Sequence, residues 1–233
     1  MTTVATRINK YLSELGFCSR READRLIAEA RVTVNGQVAE TGQKVTEDDT
    51  IAVDGTLLVL DNPFVYLAFN KPVGITSTTD LTIKDNIIAF INYPTRIFHV
   101  GRLDKDSEGL ILMTNDGDIV NKILRAEHQH EKEYVVQVHK PITRAFLEGM
   151  RQGVPILERV TQPCKVKQIN AKTFNIILTE GLNRQIRRMC QYFGYRVTSL
   201  KRIRIMHIHL DVPVGTYRAL TDAELETLFA MIR

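Results

Sequence analysis

Apolar positions in the first sixty residues change their period once. Ile8, Tyr11, Leu12 and Leu15 recur three and four apart, as on one face of a helix, and Gly16 offers the left-handed stop. Ser19, with Glu22 three residues on, reads as a capping box for a second helix that buries Ala23, Leu26, Ile27 and Ala30. The period then falls to two. Val32, Val34 and Val38 flank Asn35-Gly36, a favoured two-residue hairpin turn, and a second hairpin centres on Asp54-Gly55. Asp61-Asn62-Pro63 breaks the pattern, because Pro63 disfavours helix for the residue before it and the charge pattern shifts there. The chain therefore divides, by its sequence, into a small helical and hairpin domain at 1–61 and a larger domain at 62–233.

In the larger domain Phe64 to Phe69 predicts a buried strand, and Asn70-Lys71-Pro72-Val73-Gly74 with the polar run to Thr82 predicts a loop. A helix is expected over Ile83 to Ile91, a strand over Leu110 to Thr114, a helix over Asp118 to Arg125 and a strand over Tyr134 to Val138. Pro141 to Met150 reads as helix, and Val166 to Ile169 with Thr173 to Thr179 as a hairpin. Ile186, Met189, Cys190 and Phe193 share a helical face, with Asn183 as the cap and Gly194 as the stop. On that helix Gln185 and Arg188 point away from the core and Arg187 lies near its edge. Arg204 to Val212 alternates, which predicts an amphipathic surface strand with His207, His209 and Asp211 on one side rather than a metal site. Thr221 and Glu224 form another capping box, for a helix carrying Leu225, Leu228, Phe229 and Ile232.

Composition narrows the function classes. The net charge of +4 is modest, but positions 181–210 hold seven Arg or Lys and no Asp or Glu. Acidic residues outnumber basic ones over 1–61, so any RNA contact there must come from a local patch, with Arg7, Lys10, Arg20, Arg21 and Arg25 as its cations. Cys18, Cys164 and Cys190 are far apart and odd in number, which argues against a disulfide framework or a thiolate zinc site and suits the cytoplasm. No run approaches the ~18 apolar residues of a membrane span, and no apolar signal core opens the chain. No phosphate-binding loop, dinucleotide glycine pattern or metal cluster is present, so no cofactor is expected.

The chemistry centres on Gly101-Arg102-Leu103-Asp104-Lys105-Asp106-Ser107-Glu108-Gly109, a polar loop between two apolar runs. A solvated turn is one reading. A calcium loop is another, but its twelfth position requires Glu and Asn115 stands there. The third is one reactive carboxylate held by an arginine. Gly101-Arg102-Leu103-Asp104 with Ser107-Glu108-Gly109-Leu110 resembles the signature loop of RNA pseudouridine synthases, and more closely the small bacterial ribosomal-RNA family that carries an N-terminal alpha-L RNA-binding module. Arg7 to Leu12 and Ser19 to Ala23 resemble that module. Asn70-Lys71-Pro72-Val73-Gly74, Tyr134 and the segment from Glu180 to Met189 resemble further stretches of the family. Within it the F-type large-subunit (23S) branch is the nearest match, around Arg96 to Lys132 and Leu182 to Tyr195.

The resemblance implies an α+β protein whose catalytic sheet is mixed and mostly antiparallel. It implies isomerisation of uridine to pseudouridine in RNA, without cofactor, with ribosomal RNA as the partner; whether transfer RNA is a further one, the residues leave open. Asp104 would be the catalytic carboxylate, Arg187 its partner and Tyr134 the residue that packs on the target base. Asp104 could attack covalently or take a proton from the sugar, and the residues leave both routes open. Arg102 would fill the gap left by the flipped uridine. Arg184, Arg188, Lys201, Arg202 and Arg204 would contact phosphates, while Asp106 and Glu108 would only shape the loop surface. A monomer is expected. Two other classes compete: a catalytically silent RNA-binding ribosome-assembly factor, which has no need of Asp104, and a glycoside hydrolase using Asp104 with Asp106 or Glu108.

Overall fold

The computed structural model describes residues 5–58, 63–124 and 130–232, so the Asp61-Asn62 break and Arg125 lie outside the described residues. The chain forms two compact units. One comprises Met1–Val65 with Tyr93–Ile97 and Asn115–Gly117; the other comprises Tyr66–Asn92, Phe98–Thr114 and Asp118–Arg233.

In the first unit, helices Ile8–Glu14 and Arg20–Ala28 pack on a four-stranded antiparallel sheet ordered Gln37–Val38, Val32–Val34, Ile51–Val53, Thr56–Leu57. Ile8, Leu12, Ala23, Leu26 and Ile27 meet Val32, Val34, Ile51 and Val53 in one core. Both turns take positive φ at each central residue, 51° and 81° at Asn35-Gly36 and 50° and 76° at Asp54-Gly55, as two-residue hairpins of this kind demand. Ser19 Oγ accepts from the Glu22 amide at 3.1 Å, but the Glu22 carboxylate takes Arg25 instead of returning to the cap, so the box is half made. Ala30 does not join the core: it is exposed with φ 56° and turns the chain out of the helix.

The second unit is built on a nine-stranded sheet. Its main path runs Lys165–Asn170, Thr173–Leu178, Lys132–Val138, Val197–Ile205, Glu108–Thr114, Tyr66–Lys71, Tyr217–Ala219, with Ile208–His209 added to Val197–Ile205 and Phe98–Val100 to Glu108–Thr114. Among the described strands of this sheet every pairing is antiparallel except one. Val197–Ile205 runs parallel to Glu108–Thr114, joined through Lys201–Glu108 and Arg202–Gly109. The sheet is mixed and mostly antiparallel, as the resemblance implies. Phe146, Met150, Phe174, Ile186 and Met189 form one core with Tyr134 and Val136; Ala68, Leu110, Leu112, Ile119 and Leu228 form another.

Three elements differ from the sequence reading. The strand expected from Phe64 runs instead from Tyr66 to Lys71, leaving Phe64 exposed and burying Lys71 completely. The helix expected from Ile83 is only Ile87–Ile91, because Asn86 Oδ1 caps it by accepting from the Ala89 amide at 2.7 Å. The strand expected over Arg204 to Val212 ends at Ile205; Met206, at φ 54°, turns the chain back as Ile208–His209. The alternation there was the two arms of a hairpin, and His207 goes to the Glu224 carbonyl at 2.9 Å. Both bonds of the Thr221 capping box are made. Among the described residues no helix is long and apolar enough to cross a membrane.

Candidate active site

The loop between Phe98–Val100 and Glu108–Thr114 is pinned at several points. Ser77, buried, donates from Oγ to the Leu103 carbonyl at 2.8 Å and accepts from the Leu103 amide at 3.2 Å. The Gly74 amide donates to the Lys105 carbonyl at 2.7 Å, and the Ser107 amide to the Asp104 carbonyl at 3.0 Å. His99 Nδ1 lies 2.6 Å from the Gly101 carbonyl oxygen, so that nitrogen carries the ring proton. Gly109 closes the loop at φ 115°. A Cβ there would collide with the backbone of Arg202 on the parallel neighbour, so only glycine lets the two strands approach.

The helix Gln185–Tyr192 delivers two guanidiniums to this loop. Its cap is Arg184, with φ 49°, rather than Asn183, whose carbonyl and side-chain oxygens accept from Arg188 at 3.0 and 3.1 Å. Arg184 forks onto Asp106 at 3.1 and 3.0 Å and stands 3.7 Å from Asp104. Arg187 donates to the Asp106 carbonyl at 2.8 Å and to Ser107 Oγ at 3.0 Å, with its Nε 3.4 Å from the Asp106 carboxylate. The arrangement therefore departs from the expected Arg187–Asp104 pair: among the described residues the cation within 4 Å of the Asp104 carboxylate is Arg184. Residues 184 and 187 lie three apart at the start of one helix, so both reach the same loop, and the loop's bend sets Asp106 between them. Asp106 is exposed, as expected, yet it is where both arginines converge. The Arg184 hydrogen bond, helped by the Arg187 charge, holds its carboxyl below the usual carboxylate range. Gln185, expected to point away from the core, is buried: it donates to Glu180 at 2.6 Å and accepts from the Leu182 amide at 3.0 Å.

A cavity of about 880 Å³ opens beside these groups, lined by Asp104, Lys132, Tyr134, Arg184, Arg187 and Arg202 among others. Tyr134 is buried on the strand Lys132–Val138, between Arg202 and Ile176 on the neighbouring strands. Leu103, Leu178, Leu200 and Ile205 make its walls apolar, and the exposed Arg102 also lines it. A cavity of this size and lining can take a pyrimidine nucleoside and keep water from it.

The cations offered as RNA contacts sort into two groups. Arg7, Arg20 and Arg21 are exposed, with no side-chain hydrogen bond or ion pair among the described residues. The others are engaged. Lys10 pairs with Glu14 at 3.2 Å and Lys201 with Glu108 at 3.3 Å. Arg204 bridges Glu133 and Glu131 at 2.7 and 3.0 Å. Arg202 is 4% exposed and donates from Nε to the Leu110 carbonyl at 2.6 Å, so it is no surface phosphate contact. Its strand is central in the sheet, and only its two neighbours reveal that burial.

Two lysines escaped the sequence reading. Lys71, fully buried, donates to the Pro72 and Ile75 carbonyls at 2.8 Å each. Burial pushes its ammonium down to about 8, with Arg202 adding to the fall and Asp104, Asp106 and Glu108 opposing it. Lys132 donates to the His130 carbonyl at 3.3 Å and is lowered by burial and then by Arg202. The signal for Lys132 was its place two residues before Tyr134, on the same strand face.

Two family models match. One described as RNA pseudouridylate synthase covers residues 65–192, and an S4 domain covers residues 6–51. The chain belongs to the RNA pseudouridine synthase family. It is 55% identical to the dual-specificity RNA pseudouridine synthase RluF of Salmonella typhi, over 100% of this chain and 81% of that one. The Escherichia coli K12 protein of the same name is 54% identical over 98% of this chain and 80% of its own. A solved pseudouridylate synthase superposes with a TM-score of 0.70 at 29% identity, covering 95% of this chain and 99% of that one. The synthase is thus an isomerase that converts uridine to pseudouridine in RNA, and the silent assembly factor and the glycoside hydrolase fall away.

Proposed function

We propose that this synthase modifies uridine in large-subunit (23S) ribosomal RNA, in the cytoplasm and as a monomer, with Asp104 as its catalytic carboxylate. Residues 1–61 serve as the alpha-L type RNA-binding domain and 62–233 as the catalytic domain. The observation that carries the assignment is Asp104 itself. It lines the cavity, on a loop pinned by Ser77 and Gly74, with a guanidinium 3.7 Å away. The dual specificity in the names of the two relatives favours a second RNA substrate.

A stacked uridine cannot reach a carboxylate inside a cavity, so it is flipped out, at a cost of a few kcal/mol that is least in loops and bulges. Tyr134 offsets part of that cost by stacking, at ~1–3 kcal/mol per base, and Arg102 fills the space the base leaves. Asp104 then acts at the sugar while the glycosidic bond breaks, the uracil turns and its C5 bonds to C1′. Arg187 acts through Asp106 and Ser107, fixing the loop, and Arg184 directly faces both carboxylates. Arg7, Arg20 and Arg21 meet phosphates.

Asp104→Asn keeps the shape of the loop and removes the charge. Tritium release from RNA labelled at uridine C5 should fall to background, with RNA affinity within about two-fold of wild type. Turnover near wild type would refute the assignment.

A further inference from the structure

The floor of the cavity carries positive charge that the roles above do not use. Arg202 is 4% exposed, lines the cavity and spends Nε on the Leu110 carbonyl, but its Nη2 is buried without a hydrogen-bond partner among the described residues. A buried guanidinium N–H left without an acceptor is costly, so a partner at that atom would recover a substantial part of that cost. Lys132 lines the same cavity, on the strand next to that of Arg202, and Lys71 is near enough to feel the Arg202 charge. Lys71 already has two carbonyl acceptors at 2.8 Å, whereas Lys132 has one, at 3.3 Å. Tyr134 stands opposite Arg202 across the strands, and Leu178 and Ile205 stand opposite Lys132. The floor is thus an apolar and aromatic surface with two donors set into it.

We infer that Arg202 Nη2 and Lys132 Nζ form a subsite for the carbonyl oxygens of the uracil ring, and that they carry its negative charge while it is detached from the sugar. This rests on the reading of the Asp104 cavity as the active site. The electron accounting makes such a subsite necessary. When the C1′–N1 bond breaks, its electron pair leaves on the uracil and spreads over N1 and the two carbonyl oxygens. Asp104 meanwhile either bonds to C1′ or removes a sugar proton. The same ring later bonds to C1′ through C5, as the Asp104–C1′ bond breaks on the one route or as the proton held by Asp104 returns to the sugar on the other; the C5 proton is lost and N1 gains a proton, so substrate and product are isomers. Between those events a free pyrimidine anion must stay in the cavity and turn. Donors that grip the oxygens, in a site with apolar walls, stabilise the charge without fixing N1 or C5. A phosphate is a poorer fit, since the donors sit among Tyr134, Leu178 and Ile205 in the floor.

The test uses the full-length protein and two RNAs of one sequence, with uridine or 5-fluorouridine at the target position. Fluorine at C5 makes the uracil a better leaving group, because the ring bears the charge more easily. Lys132→Met should slow single-turnover consumption of uridine by about 100-fold, the usual effect of removing one such donor, with Kd for RNA unchanged. The same variant should lose no more than about ten-fold on 5-fluorouridine. Arg202→Lys should behave alike, and if it fails to fold, Lys132→Met still decides. Equal losses on both RNAs would mark a structural role, a weakened Kd alone would mark a phosphate contact, and wild-type rates would mark no role; each overturns the subsite. Failure of the Asp104 reading is separate, since it shows as turnover by Asp104→Asn on both RNAs.

Discussion

Two arginines at the start of a helix in the N-terminal unit do different work from those around the cavity of the larger one. In the N-terminal unit Arg20 and Arg21 stand exposed on the first turn of a helix, without a side-chain partner among the described residues. In the larger unit Arg184, Arg187, Arg188, Arg202 and Arg204 are all held by acceptors of that unit. The basic stretch at 181–210 looks richer in RNA contacts than the N-terminal module, yet most of its charge is committed. A planar guanidinium with five donors is the group best suited to bridging strands, loops and helix ends, and here it mainly builds the site. Charge counted along a chain therefore overstates the charge free for phosphate, and the difference lies in whether a carboxylate or a bare carbonyl waits in space.

The most severe way to break the larger unit is at the one parallel seam. Gly109→Ala puts a methyl group against the Arg202 backbone at a φ of 115° that alanine resists. We expect a loss of at least ~3 kcal/mol in urea unfolding, typical of combined backbone strain and overpacking. A change below ~1 kcal/mol would mean that the strands separate there at little cost. A milder test removes the point where the two guanidiniums meet. Asp106→Asn should lower kcat by roughly 10- to 100-fold through misplacement of the Asp104 loop, with RNA affinity unchanged or slightly tighter. Glu108→Gln, which loses only a half-exposed pair with Lys201, should stay within about two-fold. The sign with pH follows from the lowered Asp106 carboxyl. Its contribution is present above the ordinary carboxylate range, about pH 4, and is lost as pH falls through the lowered value. Equal kcat losses for Asp106→Asn and Glu108→Gln would show that both carboxylates merely shape the surface.

The same contrast explains what the sequence could reveal. Hairpins at Asn35-Gly36 and Asp54-Gly55, the Thr221 capping box and the helix ended by Gly16 all follow from signals within four residues, and they form as read. Met206 carries no such signal: a methionine at φ 54° is set by the Ile205–Ile208 pairing, and the periodicity across it misleads. At the site, the loop and the arginine helix were legible as motifs, and both line one cavity with Tyr134. The partner of each arginine was not, because Asp104 and Asp106 are two residues apart and only the curvature of the loop decides which one faces Arg187. Lys71 and Lys132 were missed for the opposite reason. A lysine is read as solvated unless its strand neighbours are known, and those neighbours lie elsewhere in the chain.

The exposed arginines act on affinity and leave turnover alone, and this sharpens the contrast most directly. If Arg20 and Arg21 each neutralise a phosphate, Arg20→Gln with Arg21→Gln should reduce the slope of log affinity against log salt by about 1.4 to 1.8, from ~0.7 per contact on single strands and ~0.9 on duplex. Affinity should fall roughly ten-fold at low salt and much less at high salt, while kcat on saturating RNA stays put. Arg204→Gln should do the reverse. Its guanidinium is already shared between Glu131 and Glu133, so the salt slope should hold and stability should drop, by on the order of 1–2 kcal/mol. Filter-binding titrations at four salt concentrations, with thermal melts of the same samples, separate the two. A steeper loss of slope for Arg204→Gln than for the N-terminal pair would mean that the intramolecular carboxylates yield to RNA, and that the committed charge is available after all.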